Sequence, residues 1–146
     1  MGPESRTRAP VFRAASARPA IYPAVDRFFL ALGALSAFLS VAAGAFAAHG
    51  LRARIPPELL AVFETGARYQ MYHALGLVAV AWACTRSPGV AASVAGWLFV
   101  IGTVLFSGSL YALALSGARV LGAVTPVGGV AFLAGWIALA WTAFRA

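Results

Sequence analysis

Residues Phe28 to Ala48 read FFLALGALSAFLSVAAGAFAA, a run of 21 positions without a charged side chain. As a helix this run rises roughly 31 Å, the thickness of a bilayer's hydrocarbon core. A secretory signal peptide competes for the same stretch, with Ala45-Phe46-Ala47 as its small-residue cleavage site. Signal cores extend only about 7–15 residues, so the length favours a retained helix. Ser36, Ser40, Gly44 and Ala48 recur at every fourth position, a small-residue stripe that lets another helix approach closely.

The rest of the chain agrees with a lipid solvent. Of 146 residues, 62% are apolar and only 10% charged. A soluble domain has roughly a quarter of its residues charged, and a chain this short has too little volume to hide so much apolar surface from water. The net charge of +7 rests on arginine alone, because there is no lysine. Nucleic-acid binding needs such charges clustered on one face with aromatics between them. Here they stand singly between apolar runs or in the N-terminal tail, so the expected partner is the lipid bilayer and not nucleic acid.

Proline and arginine mark the boundaries. Residues 1–27 hold four prolines and five arginines and have no helical period. They are expected to form a disordered arginine- and proline-rich tail, the alternative being a start codon assigned upstream of the true one. After the first span, 28–48, come Arg52, Arg54, Pro56 and Pro57. Pro57 suits a first helical position and Glu58 the positive end of a helix dipole. A short interfacial helix with Glu64 and Arg68 in the favourable i, i+4 order then leads into a second span, 69–85. Arg86-Ser87-Pro88-Gly89 forms a turn. The third span covers 90–115, and Thr125-Pro126 opens the fourth, 126–144, as N-cap and first helical residue. The fold class is an all-α, antiparallel four-helix membrane bundle. Seven arginines lie on the side of the termini and the Arg86 turn, and four on the other, which places both termini in the cytoplasm.

Antiparallel spans bring one set of polar residues to a common height. His49, Tyr69, Gln70, Tyr72, His73, Ser107, Ser109, Tyr111 and Thr125 all fall toward the same side of the membrane. Trp82, Trp97 and Trp141 fall toward the other, as an aromatic belt, with Trp136 deeper and packed in the bundle. Tyr69, Tyr72 and His73 share a helix face, and polar groups inside lipid need partners. An interhelical hydrogen-bond layer is favoured over a ligand or ion site, because histidine is the mildest ionisable group and no carboxylate joins it.

Other chemistries fit worse. Two histidines without a cysteine or acid beside them fall short of a metal site, and His49 at a helix end suits haem poorly, so no metal or cofactor is expected. Every acid lies outside the spans, which leaves no Ser-His-Asp arrangement. Cys84, the only cysteine, reads as an inert buried thiol. Gly128 and Gly129 lack a phosphate loop's length and lysine, and are read as a close-packing notch at the start of the fourth helix.

Five motifs occur in order. They are Gly44-Ala45-Phe46-Ala47-Ala48-His49-Gly50, the run from Tyr69 to Leu75, Leu105-Phe106-Ser107-Gly108-Ser109-Leu110-Tyr111, Thr125-Pro126-Val127-Gly128-Gly129 and Gly135-Trp136. Together they resemble the domain of unknown function 423 family, small four-span bacterial membrane proteins whose eukaryotic branch is named transmembrane protein 256. The resemblance covers about Phe28 to the C-terminus. Ala47 stands where the family often has glycine, and the long tail is not typical of it. The resemblance implies a four-span fold in the bacterial inner membrane and no particular reaction. The small-residue stripe on the first helix and the lack of a catalytic constellation favour a non-enzymatic function, through helix–helix contact in a homo-oligomer or with a membrane-protein partner. The alternative is a small-solute or proton-linked carrier built on the layer around His73.

Overall fold

The structure is a computed structural model and describes residues 23–87 and 89–144. All regular elements among the described residues are helical: α1 Pro23–Phe46, α2 Pro57–Arg86, α3 Val90–Gly102, α4 Gly108–Ser116 and α5 Thr125–Ala143. A π-helical turn, Ala47–Leu51, ends α1, and a second, Thr103–Ser107, joins α3 to α4 without a break in direction. Three helical stretches are long and apolar enough to cross a membrane: Ala24–Leu51, Val90–Ser116 and Arg119–Ala143.

Helix α1 begins earlier than the expected end of the tail. Pro23 opens it, and Pro23 to Arg27 form its first turns. A proline is tolerated there because the first N–H groups of a helix have no intrahelical partner. Residues 1–22, where the rest of the expected tail falls, lie outside the described residues, as do Pro88 and residues 145–146.

Helix α2 also departs from expectation. The interfacial helix and the second span are one unbroken helix of 30 residues. Nothing near Arg68 breaks the ladder, and Gly66, which weakens a helix by about 1 kcal/mol relative to alanine, is covered by the Tyr111 ring. With Glu58, Glu64 and Arg68 in its N-terminal part, α2 is not among the three most apolar stretches. Glu64 and Arg68 are both exposed and form no ion pair among the described residues.

The helices meet where rings sit on glycines. A side chain at Gly96 would strike the Phe29 ring, one at Gly76 or Gly135 the Phe99 ring, and one at Gly102 the Phe132 ring. In lipid, close van der Waals contact replaces the hydrophobic effect as the force between helices, and a glycine opposite a flat ring maximises it. Helix α1 approaches α2 in the same way, with Gly33 against the Ala74 carbonyl and Leu77. Phe29, Leu77, Val80, Ala92, Ala95, Phe99 and Phe132 form the main buried cluster.

The π turn at Thr103–Ser107 keeps the third span in phase. Buried positions run Ala92, Ala95, Gly96, Phe99 and Gly102 at helical spacing, and the next, Ser107, comes five residues later. One extra residue in the turn restores register, so Ser107 and Leu110 face inward. Gly117, at φ 71°, closes α4 in the left-handed conformation that glycine adopts without penalty, its N–H donating to the Leu113 carbonyl.

Candidate functional site

The polar residues gather as three separate couplings between helices. In the first, Gln70 of α2 reaches both neighbours. Its amide nitrogen donates to the Ser36 carbonyl of α1 at 3.1 Å, and its amide oxygen accepts from the Tyr111 hydroxyl of α4 at 2.8 Å. One turn away, Ser40 donates to the Ala67 carbonyl at 2.7 Å. In the second, Ser109 of α4 and Thr125 of α5 share a 2.8 Å hydroxyl contact.

The third holds His73. Its Nδ1 lies 2.7 Å from the Tyr69 carbonyl, and its Nε2 lies 3.2 Å from Trp136 Nε1. A carbonyl only accepts and an indole N–H only donates, so these partners select the neutral Nδ1–H tautomer with Nε2 as acceptor. The Phe132 ring stacks on the imidazole at 3.3 Å between centroids and 6° between planes, and Phe99 closes in at 5.4 Å. Only 4% of His73 is exposed. Counted along α2 it stands roughly 24 Å from Pro57, near the middle of the helix rather than at its membrane entry.

Not every expected member joins. His49 is exposed in the π turn after α1 and bonds to none of the others. Ser107 is buried, yet its hydroxyl has no partner among the described residues, and neither has that of Thr103. Tyr69 and Tyr72 turn their rings outward, at 38% and 52% exposure, and their hydroxyls make no hydrogen bond among the described residues. The small-residue stripe is divided: Ser36 and Ser40 bond to α2, Ala48 is exposed, and the space beyond Gly44 is open. Gly128 is pressed against the Phe106 backbone, whereas Gly129 stands free of close contact. Cys84 is buried.

Trp136 is the site residue that sequence reasoning assigned to packing alone. Its place one helical turn after Phe132 was the available signal, since both then face α2 beside His73. Trp82, Trp97 and Trp141 are each at least half exposed, and the Arg86 guanidinium lies over the Trp82 ring.

An apolar groove of about 640 Å³ opens between α2 and α5. Tyr69, Tyr72 and His73 line one wall and Pro126, Leu133 and Trp136 the other, with Phe106 and Phe132 between. No group of three metal-ligating side chains forms among the described residues. Chemically the site offers a fixed imidazole with both nitrogens engaged, two accessible phenols and ring-lined apolar space.

Known proteins resemble most of this chain. The family described as "Protein of unknown function (DUF423)" matches residues 43–129, from the last turns of α1 to the start of α5. The UPF0382 membrane protein YwdK of Bacillus subtilis is 48% identical over 120 residues, covering 82% of this chain and 98% of its own. A UPF0382 membrane protein of Haemophilus influenzae is 48% identical over 118 residues, covering 80% and 94%. In Staphylococcus haemolyticus, UPF0382 membrane protein SH2409 is 44% identical over 119 residues, covering 82% and 97%. No solved structure matches. With a matched family spanning more than half of its length and relatives aligned from end to end, the chain belongs to the DUF423 family of membrane proteins, whose function is unknown.

Proposed function

We propose that the chain is a non-enzymatic, four-span protein of the bacterial inner membrane that acts through lateral helix–helix contact, with a second copy or within a larger assembly. Three stretches have the length and apolarity of spans. Helix α2 is bound to two of them, through Gln70 to α1 and α4 and through Gly33 packed on Ala74, which supports its crossing with them. Its first turns, Pro57 to Arg68, then lie at the membrane boundary. The arginine asymmetry supports a cytoplasmic position for both termini.

The observation that carries this proposal is the closure of the polar couplings. Gln70 is engaged at both ends of its amide and His73 at both nitrogens, each inside the bundle. Groups held in this way stabilise the bundle, and neither nitrogen of His73 is left free for a solute or a proton relay. Interaction then falls to the outer surface, where α1 presents Leu35, Phe38, Leu39 and Val41 and, on another part of its circumference, leaves open space beyond Gly44.

Crosslinking in native membranes, with the mass of the detergent-solubilised protein, tests the proposal. A discrete dimer or larger species is expected, weakened by Gly44→Leu. A monomer in detergent with no captured partner in membranes overturns it. His73→Phe is expected to lower thermal stability and leave solute flux in vesicles unchanged; a loss of flux would favour the carrier instead.

A further inference from the structure

The groove between α2 and α5 has the dimensions of a lipid site. Its 640 Å³ falls within the roughly 300–1,000 Å³ of small-molecule sites. From Pro126 to Trp136 it follows ten residues of α5, roughly 15 Å. Its apolar, ring-lined walls suit hydrocarbon chains.

The groove is also polarised along its length. Its inner end is Trp136 with the stacked His73 and Phe132 rings, whose polar atoms are already bonded. Its outer end opens at Pro126, in the first turn of α5, on the bundle end that carries the 117–124 connection. Two unbonded phenols, Tyr69 and Tyr72, stand on the wall. Arg68 is exposed one turn before Tyr72, without an ion-pair partner among the described residues, and Arg119 is exposed at the same bundle end.

We propose that this groove binds an anionic phospholipid of the leaflet at that end, its acyl chain along Phe132 and Leu133 and its phosphate toward Arg68. The proposal rests on the membrane-spanning arrangement above and adds a ligand to it. Tyr69 and Tyr72 donate to the lipid's ester oxygens, and the arginine supplies the headgroup preference.

Trp136 serves as the reporter. A protein carrying Trp82→Phe, Trp97→Phe and Trp141→Phe keeps only this indole. It is reconstituted in phosphatidylcholine vesicles containing increasing fractions of phosphatidylglycerol or phosphatidylcholine with brominated chains. Quenching is expected to saturate, with phosphatidylglycerol half-effective at a roughly fivefold lower fraction, as one arginine–headgroup contact gives. Arg68→Gln should erase the headgroup difference. Gly129→Leu, which fills the groove where a side chain has room, should remove the saturating component. In the unaltered protein, native mass spectrometry from detergent should show phosphatidylglycerol retained over phosphatidylcholine.

Equal quenching, linear in lipid fraction for both headgroups, overturns the proposal and makes the occupant ordinary boundary lipid. A Trp136 quenched by neither lipid, while the unaltered protein is quenched, overturns it in favour of a protein segment over the groove. If the unaltered protein is not quenched either, the membrane-spanning arrangement itself fails.

Discussion

Trp136 Nε1 donates to His73 Nε2 across 3.2 Å and ties α5 to α2 at the inner end of the groove that separates them. The two helices touch little elsewhere, whereas α1 lies along α2 and α5 along α3. A single hydrogen bond and one stacked ring therefore set much of the α2–α5 spacing.

That dependence can be measured by a double-mutant cycle. Trp136→Phe and His73→Phe each remove one side of the bond. We expect each to destabilise the protein by about 1 kcal/mol in detergent unfolding, with a coupling of about 0.6–1.7 kcal/mol, the range of interhelical hydrogen bonds in membranes. Additive effects would show that the bond contributes nothing to stability.

Gln70 and Tyr111 should differ although they share a bond. Tyr111→Phe deletes one hydrogen bond and leaves the Gln70 oxygen unpaired. Gln70→Leu deletes the bonds to both α1 and α4 and strands the Tyr111 hydroxyl. Thermal melts followed by circular dichroism should rank Gln70→Leu lower, by about 1 kcal/mol.

Two buried serines predict opposite signs. Ser40 donates to the Ala67 carbonyl, so Ser40→Ala should cost about 1 kcal/mol. The Ser107 hydroxyl is buried and unpartnered, so Ser107→Ala should leave stability unchanged or raise it by about 1 kcal/mol. A large loss at Ser107 would show that a bound water completes its hydrogen bonding.

Glycines should divide by their surroundings. A side chain at Gly128 meets the Phe106 backbone, which cannot turn aside, so Gly128→Ala should destabilise by about 2 kcal/mol or more. Gly44 has nothing within 4 Å of that position, so Gly44→Ala should gain about 0.5–1 kcal/mol from helix propensity. Equilibrium unfolding of both variants in one detergent checks the contrast.

The helical class was legible in the sequence because it depends on local chemistry. Apolar runs of bilayer length, and prolines and arginines outside them, mark where helices begin and end, whatever those helices later touch. Pro57 starts α2 where expected, whereas α5 starts one residue before the expected Pro126, with Val124 rather than Thr125 at the N-cap position. The five ordered motifs identified the family for the same reason. The start of α1 was placed late, since Pro23 was read as a breaker when it is an opener.

Tertiary structure decided which polar groups meet. Height along a bundle follows from counting residues, but facing depends on each helix's rotation, and a π turn adds a residue that no hydropathy pattern announces. His49 and Tyr72 stood at the right height and face outward, while Trp136, assigned to packing, completes the His73 coupling. Whether Ser107 faces Gln70's helix or lipid depends on the extra residue at Thr103–Ser107. The pairing of phenylalanine rings with glycines on other helices is likewise a property of the packed bundle, because it joins residues such as Phe99 and Gly76 that no local pattern relates.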